Sequence, residues 1–247
     1  MSTRSKAACA AAGLGLLCSG AASALPVGID GFATAQSLLV SVPAGPTSSA
    51  GGVLASDAIG GARFASLSRI DGYGTDTLTV DGGGVGRLDL SSAAADTVTA
   101  QLIYDGDDDD ALSFTGLGGI DLTSTDTNTL IRILARSDLA APISITIYTD
   151  EQNFSSASVN LPGLGFGLTS FTELDLPFLA FTTGGGTGAD FHSVGAIVVG
   201  ISGANTASLD AQLDSIIAIP EPGSAVLLVL GLAGLALAGR RRRSGPA

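Results

Sequence analysis

Apolar and polar residues alternate one by one along three well-separated segments, and a chain with that period builds strands. Val98, Ala100, Leu102 and Tyr104 alternate with Thr97, Thr99, Gln101 and Ile103. Ile143, Ile145 and Ile147 alternate with Ser144, Thr146 and Tyr148, and Leu209, Ala211 and Leu213 with Ser208, Asp210, Gln212 and Asp214. Side chains on a strand point to opposite faces in turn, so each segment presents one apolar row to a core. Val194 to Ile201 is almost wholly apolar and reads as a central strand. Glycine-rich turn clusters separate these runs: Asp81 to Gly84, Asp105-Gly106-Asp107, Gly163 to Gly167 and Gly184 to Gly186. No stretch of residues 25–219 carries a helical period. The expectation is an all-β domain, a β-sandwich of the jelly-roll kind.

The ends of the chain have another character. Arg4 and Lys6 precede an apolar run, Ala7 to Leu17, and Ala22-Ser23-Ala24 forms an A-x-A site. That order predicts a secretory signal peptide over residues 1–24, with Ala22 and Ala24 setting signal-peptidase cleavage after passage through the Sec translocon. Leu17 stands before Cys18 where a lipobox needs a small residue, which argues against lipidation. Both cysteines, Cys9 and Cys18, fall in this leader. The exported domain, residues 25–219, is therefore expected to hold itself without disulfides, through its core or a metal. It carries 22 acids against 5 arginines and no lysine. Such a surface repels nucleic acid and anionic lipid and favours divalent cations.

Residues 220–247 read as a sorting tail. Pro220-Glu221-Pro222 stays extended, because each proline lacks an amide donor and biases its predecessor away from helix. Residues 223–239 carry no charge and include six leucines. As a helix they cover roughly 26 Å, the short end of a membrane span. Arg240, Arg241, Arg242 and Arg243 follow at once and are expected to stay cytoplasmic.

Ile219-Pro220-Glu221-Pro222-Gly223-Ser224, the Leu/Ala/Gly span and the arginine run together resemble the PEP-CTERM sorting signal of Gram-negative bacteria. The resemblance implies recognition by an exosortase, removal of the span, and a host that makes exopolysaccharide or biofilm. Gly28 to Phe32, Gly60 to Arg63, and Ala189 to Phe191 followed by the segments from Val194 and Leu209 resemble the strands of galactose-binding-like, carbohydrate-binding jelly rolls.

Candidate sites were weighed against blander readings. Asp105, Asp107 and Asp109 belong to a run of five carboxylates in six positions, hard oxygen ligands of the kind calcium takes. The EF-hand spacing is missing, so a solvated acidic turn is the simpler reading. Asp30 and Asp210 (or Asp214) form a second calcium candidate, implied only by the jelly-roll resemblance. Asp71 to Thr79 comes within one residue of the calcium nonapeptide, but one and a half copies make a glycine-rich hairpin more readily than a β-roll. His192 is the single histidine and reads as an ordinary loop residue; Ser193 beside it has no nucleophile elbow. No pair drawn from Glu151, Glu173 and the aspartates stands out as glycosidase acids. The chain has no tryptophan and only three tyrosines, which weakens sugar recognition by stacking.

The sequence thus predicts a non-enzymatic exported protein of the cell surface or extracellular matrix, membrane-held until processing. Its expected partners are an exosortase and extracellular polysaccharide, with structural calcium as the one candidate cofactor. A carbohydrate-binding module with a polar cleft is the alternative, and an extracellular hydrolase the weaker one. A sheet face lined by tyrosine and charge would favour the module; a face of Ser, Thr and Ala would favour the structural protein.

Overall fold

The computed structural model describes residues 25–41, 45–81, 84–164 and 170–221. The leader with Ala22 and Ala24, Pro222, the apolar span 223–239 and Arg240 to Arg243 lie outside the described residues, as do parts of the turn clusters after Asp81 and Gly163.

Among the described residues, fourteen strands form two sheets. They are β1 (Val27–Asp30), β2 (Gln36–Val40), β3 (Thr47–Leu54), β4 (Ala62–Asp71), β5 (Asp76–Val80), β6 (Leu88–Ser91), β7 (Thr97–Tyr104), β8 (Leu130–Ser137), β9 (Ala141–Tyr148), β10 (Phe154–Leu161), β11 (Thr172–Pro177), β12 (Thr182–Gly185), β13 (Ala196–Ser202) and β14 (Asp210–Ile219). One sheet runs β11-β8-β14-β6-β5-β2, with β1 sharing the edge of β14 that β6 leaves open. The other runs β12-β10-β9-β13-β7-β4-β3. All pairs between named strands are antiparallel.

The alternation read from the sequence is the alternation of burial. In β7, Val98, Ala100, Leu102 and Tyr104 face inward, and in β9 Ala141, Ile143, Ile145 and Ile147 do the same. β13 is the fourth of seven strands, flanked by β7 and β9, as its apolar content requires. β14 departs from strict alternation. Leu209, Ala211 and Leu213 are buried, but the next buried pair is Ile216 and Ala218. A register shift between Leu213 and Ser215 accounts for the change of parity: one extra residue turns the following side chains over. The strand continues past the alternating stretch to Ile219, the residue before Pro220.

Two other expectations are corrected. Gly184 and Gly185 lie in the edge strand β12, paired to β10, instead of in a turn. The nonapeptide-like segment 71–79 crosses from β4 in one sheet to β5 in the other, so it is no hairpin. Its Asp76 is fully buried, 3.6 Å from Arg69. Asp96 accepts the amides of Tyr73 (3.0 Å) and Gly74 (2.8 Å) and so fastens that crossing.

The inner row of β4 reads Arg63, Ala65, Leu67, Arg69, all buried. A buried guanidinium needs acids and carbonyls around it. Arg63 donates from Nη1 to Asp30 (2.7 Å), from Nη2 to the Thr34 carbonyl (2.7 Å) and from Nε to Gln36 (3.0 Å). Arg69 sits between Asp76 and Asp96 and donates to the Gly74 carbonyl (2.6 Å). Burial pushes the Asp30 carboxyl above its ordinary value, which Arg63 offsets only in part. Burial likewise holds the Tyr104 hydroxyl neutral, donating to Asp30 at 2.8 Å.

Candidate functional site

The end of β14 and a loop, residues 121–129, form one corner of the sandwich. Asp121 organises the loop: Oδ1 accepts the Thr123 amide (2.8 Å) and hydroxyl (2.6 Å), and Oδ2 the Thr125 amide (3.0 Å). These bonds, the Thr123 hydroxyl first, hold its carboxyl below the ordinary range. Ser124, Thr125 and Asp126 follow with φ of 48°, 59° and 66°. Three successive left-handed residues without glycine are costly, roughly 1 kcal/mol or more each. The loop tolerates this because the Thr127 and Asn128 amides both return to the Thr123 carbonyl (2.8 and 2.7 Å).

His192 packs on this loop from the segment before β13. Its Nδ1 is 3.0 Å from the Thr123 hydroxyl, and its Nε2 is 3.2 Å from Asp126. The Thr123 hydroxyl also donates to Asp121, so it joins the histidine ring to the carboxylate that organises the loop. Beside them Phe178 and Phe191 stack at 4.4 Å and 20°, and Phe181 meets Phe191 edge-on at 5.2 Å. Leu179, next to Phe178, is 98% exposed.

These groups surround a cavity of about 460 Å³, whose wall includes Thr123, Asp126, Asn128, Thr129, Phe178, Phe191, His192 and Glu221. Asn128 is 2% exposed. Its Nδ2 donates to the carbonyls of Leu25 (3.3 Å) and Leu122 (3.1 Å), while its Oδ1 has no partner among the described residues. The sorting motif borders the cavity directly. The Glu221 amide donates to the Thr129 hydroxyl (3.0 Å), and the Thr129 amide to the Ile219 carbonyl (3.0 Å). Pro220 and Glu221 therefore leave the sheet already tied to it. Sequence reasoning missed this cavity. Its walls come from four separate segments, and none carries a motif; the lone histidine was the only available signal.

The outward face of the β13 sheet was the other place to look. Its open part holds a groove of about 310 Å³ lined by Ser66, Ser68, Thr99, Gln101, Ser144 and Gly200. A neighbouring hollow of about 340 Å³ adds Ser156, Ser158 and Thr182. Among the described residues neither contains an aromatic or charged side chain. At one end of this sheet Tyr148 and Phe154 contact each other at 5.2 Å, with Phe114 at 5.1 Å from Tyr148.

The candidate calcium residues lie in different places. Asp105 is buried and accepts the amides of Asp107 (3.2 Å) and Ser113 (2.7 Å), while Asp107 and Asp109 are exposed and accept amides of their own turn. Asp30 is engaged by Arg63 and Tyr104, and Asp210 accepts the Ser92 amide (3.3 Å). No group of three His, Cys, Asp or Glu side chains suited to a metal gathers among the described residues. The carboxyls pushed above their ordinary range, Asp30 and Asp76, are inside the sandwich and not on the cavity.

Fold and corner together define an all-β sandwich that delivers a C-terminal peptide from its last strand. Residues 218–243 match the PEP-CTERM protein-sorting motif. No curated protein sequence matches the chain. Among solved structures, the module CtCBM11 is similar at 14% identity over 82% of this chain and 99% of that one, with a TM-score of 0.39. The family 11 carbohydrate-binding module of Clostridium thermocellum, solved with a β-1,3-1,4-mixed-linked tetrasaccharide, shares 14% identity over 74% of this chain and 95% of its own (TM-score 0.33). The arabinose-bound α-L-arabinofuranosidase MgGH51 shares 14% over 63% of this chain but only 22% of its own (TM-score 0.33). At such TM-scores no ligand or activity carries over to this chain.

Proposed function

We propose that this chain is a non-enzymatic, exported protein of the cell surface or extracellular matrix. A jelly-roll sandwich is held at the membrane by its C-terminal span until an exosortase processes it, and it works in contact with exopolysaccharide. The observation that carries this reading is the junction at Ile219. The sorting motif begins inside β14, and Glu221 is bonded to Thr129 with no linker between domain and signal. A domain delivered this way is presented close to the membrane surface. The Ser/Thr/Gly face of the β13 sheet supports a structural or matrix role over stacking of a glycan on that face. Calcium is not needed for the candidate acids to find partners, since backbone amides, Arg63 and Tyr104 already occupy Asp30, Asp105 and Asp210.

The test is the double substitution Pro220→Ala, Pro222→Ala in the native host. Unprocessed precursor is expected to accumulate in the membrane fraction. If wild-type protein recovered from the surface still carries Arg240 to Arg243 by mass spectrometry, the processing step is wrong. A carbohydrate-binding role is the second reading, favoured by the corner cavity.

A further inference from the structure

We propose that the cavity beside the sorting motif binds one sugar residue rich in hydrogen-bond donors, a neutral hexose or an amino sugar, and excludes uronic, sulfated and phosphorylated units. The proposal deepens the carbohydrate-binding reading and rests on it, for the uncleaved chain in which Glu221 borders the cavity.

Size comes first. About 460 Å³ lies within the ~300–1,000 Å³ of small-molecule sites. The wall is mainly apolar, with a smaller polar part that can orient a ligand. The stacked Phe178 and Phe191, both only partly buried, border the cavity and offer carbon surface to a ring's C–H face. The polar wall is dominated by acceptors. Asp126, Asp190 and Glu221 bring carboxylates, and among the described residues no lysine or arginine lines the cavity. A ligand bearing its own negative charge would meet three carboxylates, with His192, already facing Asp126 at 3.2 Å, as the one basic side chain on the wall among the described residues, whereas hydroxyl or ammonium hydrogens would be accepted.

Asn128 supplies an independent sign. A buried amide oxygen without a partner is costly, and such groups in a native fold call for a water, an ion or a ligand. Both Nδ2 bonds go to carbonyls, so the amide cannot be turned over to hide the problem. Asn128 belongs to the cavity wall, so a small shift of that wall on binding would let a ligand hydroxyl or a bridging water reach the buried Oδ1. The left-handed run at Ser124 to Asp126 points the same way: strain of this kind is kept where a loop must hold one shape.

The test uses the full-length protein in lipid nanodiscs, with amide chemical shifts followed during titration. Probes are glucose, galactose, mannose, glucosamine and galacturonate. At least one neutral or amino sugar is expected to bind with Kd of about 1 mM or tighter, shifting Thr129, Phe191 and His192. The neutral and amino arms tell hydroxyl from ammonium recognition, and galacturonate should leave the spectrum unchanged. Ala189→Phe, which fills the cavity, should abolish the shifts, and Asp126→Asn should weaken glucosamine binding at least tenfold. Both variants are checked against the wild-type melting midpoint, so that misfolding is not mistaken for lost binding. The proposal is overturned if no sugar binds, if galacturonate binds as well as glucose, or if shifts fall on Ser144 and Gly200 of the sheet face. It is also overturned if Leu179 and Phe178 respond only to lipid, which would make the corner a membrane contact. None of these outcomes touches the processing test, so the two readings fail separately.

Discussion

Removing the Asp30 carboxylate should be among the most damaging single changes in the domain. Asp30 is 1% exposed, and its two oxygens accept the Phe32 amide (2.7 Å), Arg63 Nη1 (2.7 Å) and the Tyr104 hydroxyl (2.8 Å). Asp30→Ala leaves the Arg63 guanidinium fully buried with only neutral acceptors, Gln36 and the Thr34 carbonyl. Breaking a buried pair from one side costs about 3–5 kcal/mol. The orphaned Phe32 amide and Tyr104 hydroxyl place the value toward the upper part of that range. At about 2–4 °C per kcal/mol for a domain of this length, the melting midpoint should fall by roughly 8–20 °C. Arg63→Met should cost less, because Asp30 can take a proton, and Asp30→Leu with Arg63→Met should recover most of the loss. Urea unfolding of wild type, Asp30→Leu, Arg63→Met and the Asp30→Leu, Arg63→Met double variant gives the double-mutant cycle. The pH dependence has a definite sign. Because Asp30 is raised in the fold, its contribution is fully present below the unfolded value and declines as pH rises through the folded one. Wild type should therefore gain on Asp30→Asn as pH is lowered through that window. A loss of less than about 1 kcal/mol in Asp30→Ala, or a double variant no better than the worse single, would refute the pairing argument.

Two further outcomes test the acidic loop. A Cβ added at Gly52 would fall inside the van der Waals surface of the Asp108 carbonyl, whereas at Gly51 the nearest atom is Leu38 Cδ2 at 3.7 Å. Gly52→Ala should lower stability by about 1–3 kcal/mol by lifting the loop off β3, and Gly51→Ala should leave the unfolding curve nearly unchanged. A chelator should not move the melting midpoint, since backbone amides satisfy Asp105. A midpoint that falls with chelator and returns with calcium would show that the exposed Asp107 and Asp109 do take the ion.

What could be read from the sequence is what depends on neighbours in sequence. β7 was legible to its end residues because its row from Val98 to Tyr104 never breaks step. β14 was legible only to its bulge, because one inserted residue reverses the parity on which the reading depends. The inner row of β4 was not legible. Arg63 and Arg69 look like solvent-facing charges until Asp30, Asp76 and Asp96 come in from elsewhere in the chain. The corner cavity is the same case: Asp126, Phe178, His192 and Glu221 mean little apart, and only the packing of β8, β14 and the segment before β13 makes them one wall.

The arginines connect the stability of the domain to its surface. All five in residues 25–219 have partners within the fold: Arg63 and Arg69 in the core, Arg87 on Asp89 (3.1 Å), Arg132 on Glu173 (2.8 Å) and Asp175 (2.7 Å), and Arg136 on Gln212 (2.5 Å) and over the Phe171 ring (4.4 Å). A domain expected to lack disulfides thus uses four of these cations, all but Arg87, as internal ties between segments far apart in sequence. The exterior is left with the surplus of acid. That surplus keeps polyanions away over about a Debye length, roughly 8 Å at physiological salt. It therefore reinforces the selection that the cavity makes at contact, where the wall offers acceptors and, among the described residues, no lysine or arginine. Placing a cation at the rim should relax both effects together: Leu179→Lys changes a side chain that is 98% exposed and has little packing to lose. It should leave the melting midpoint unchanged and raise galacturonate binding at low salt. Equal galacturonate binding by the variant and the wild type would show that the charge of this corner does not set its selectivity.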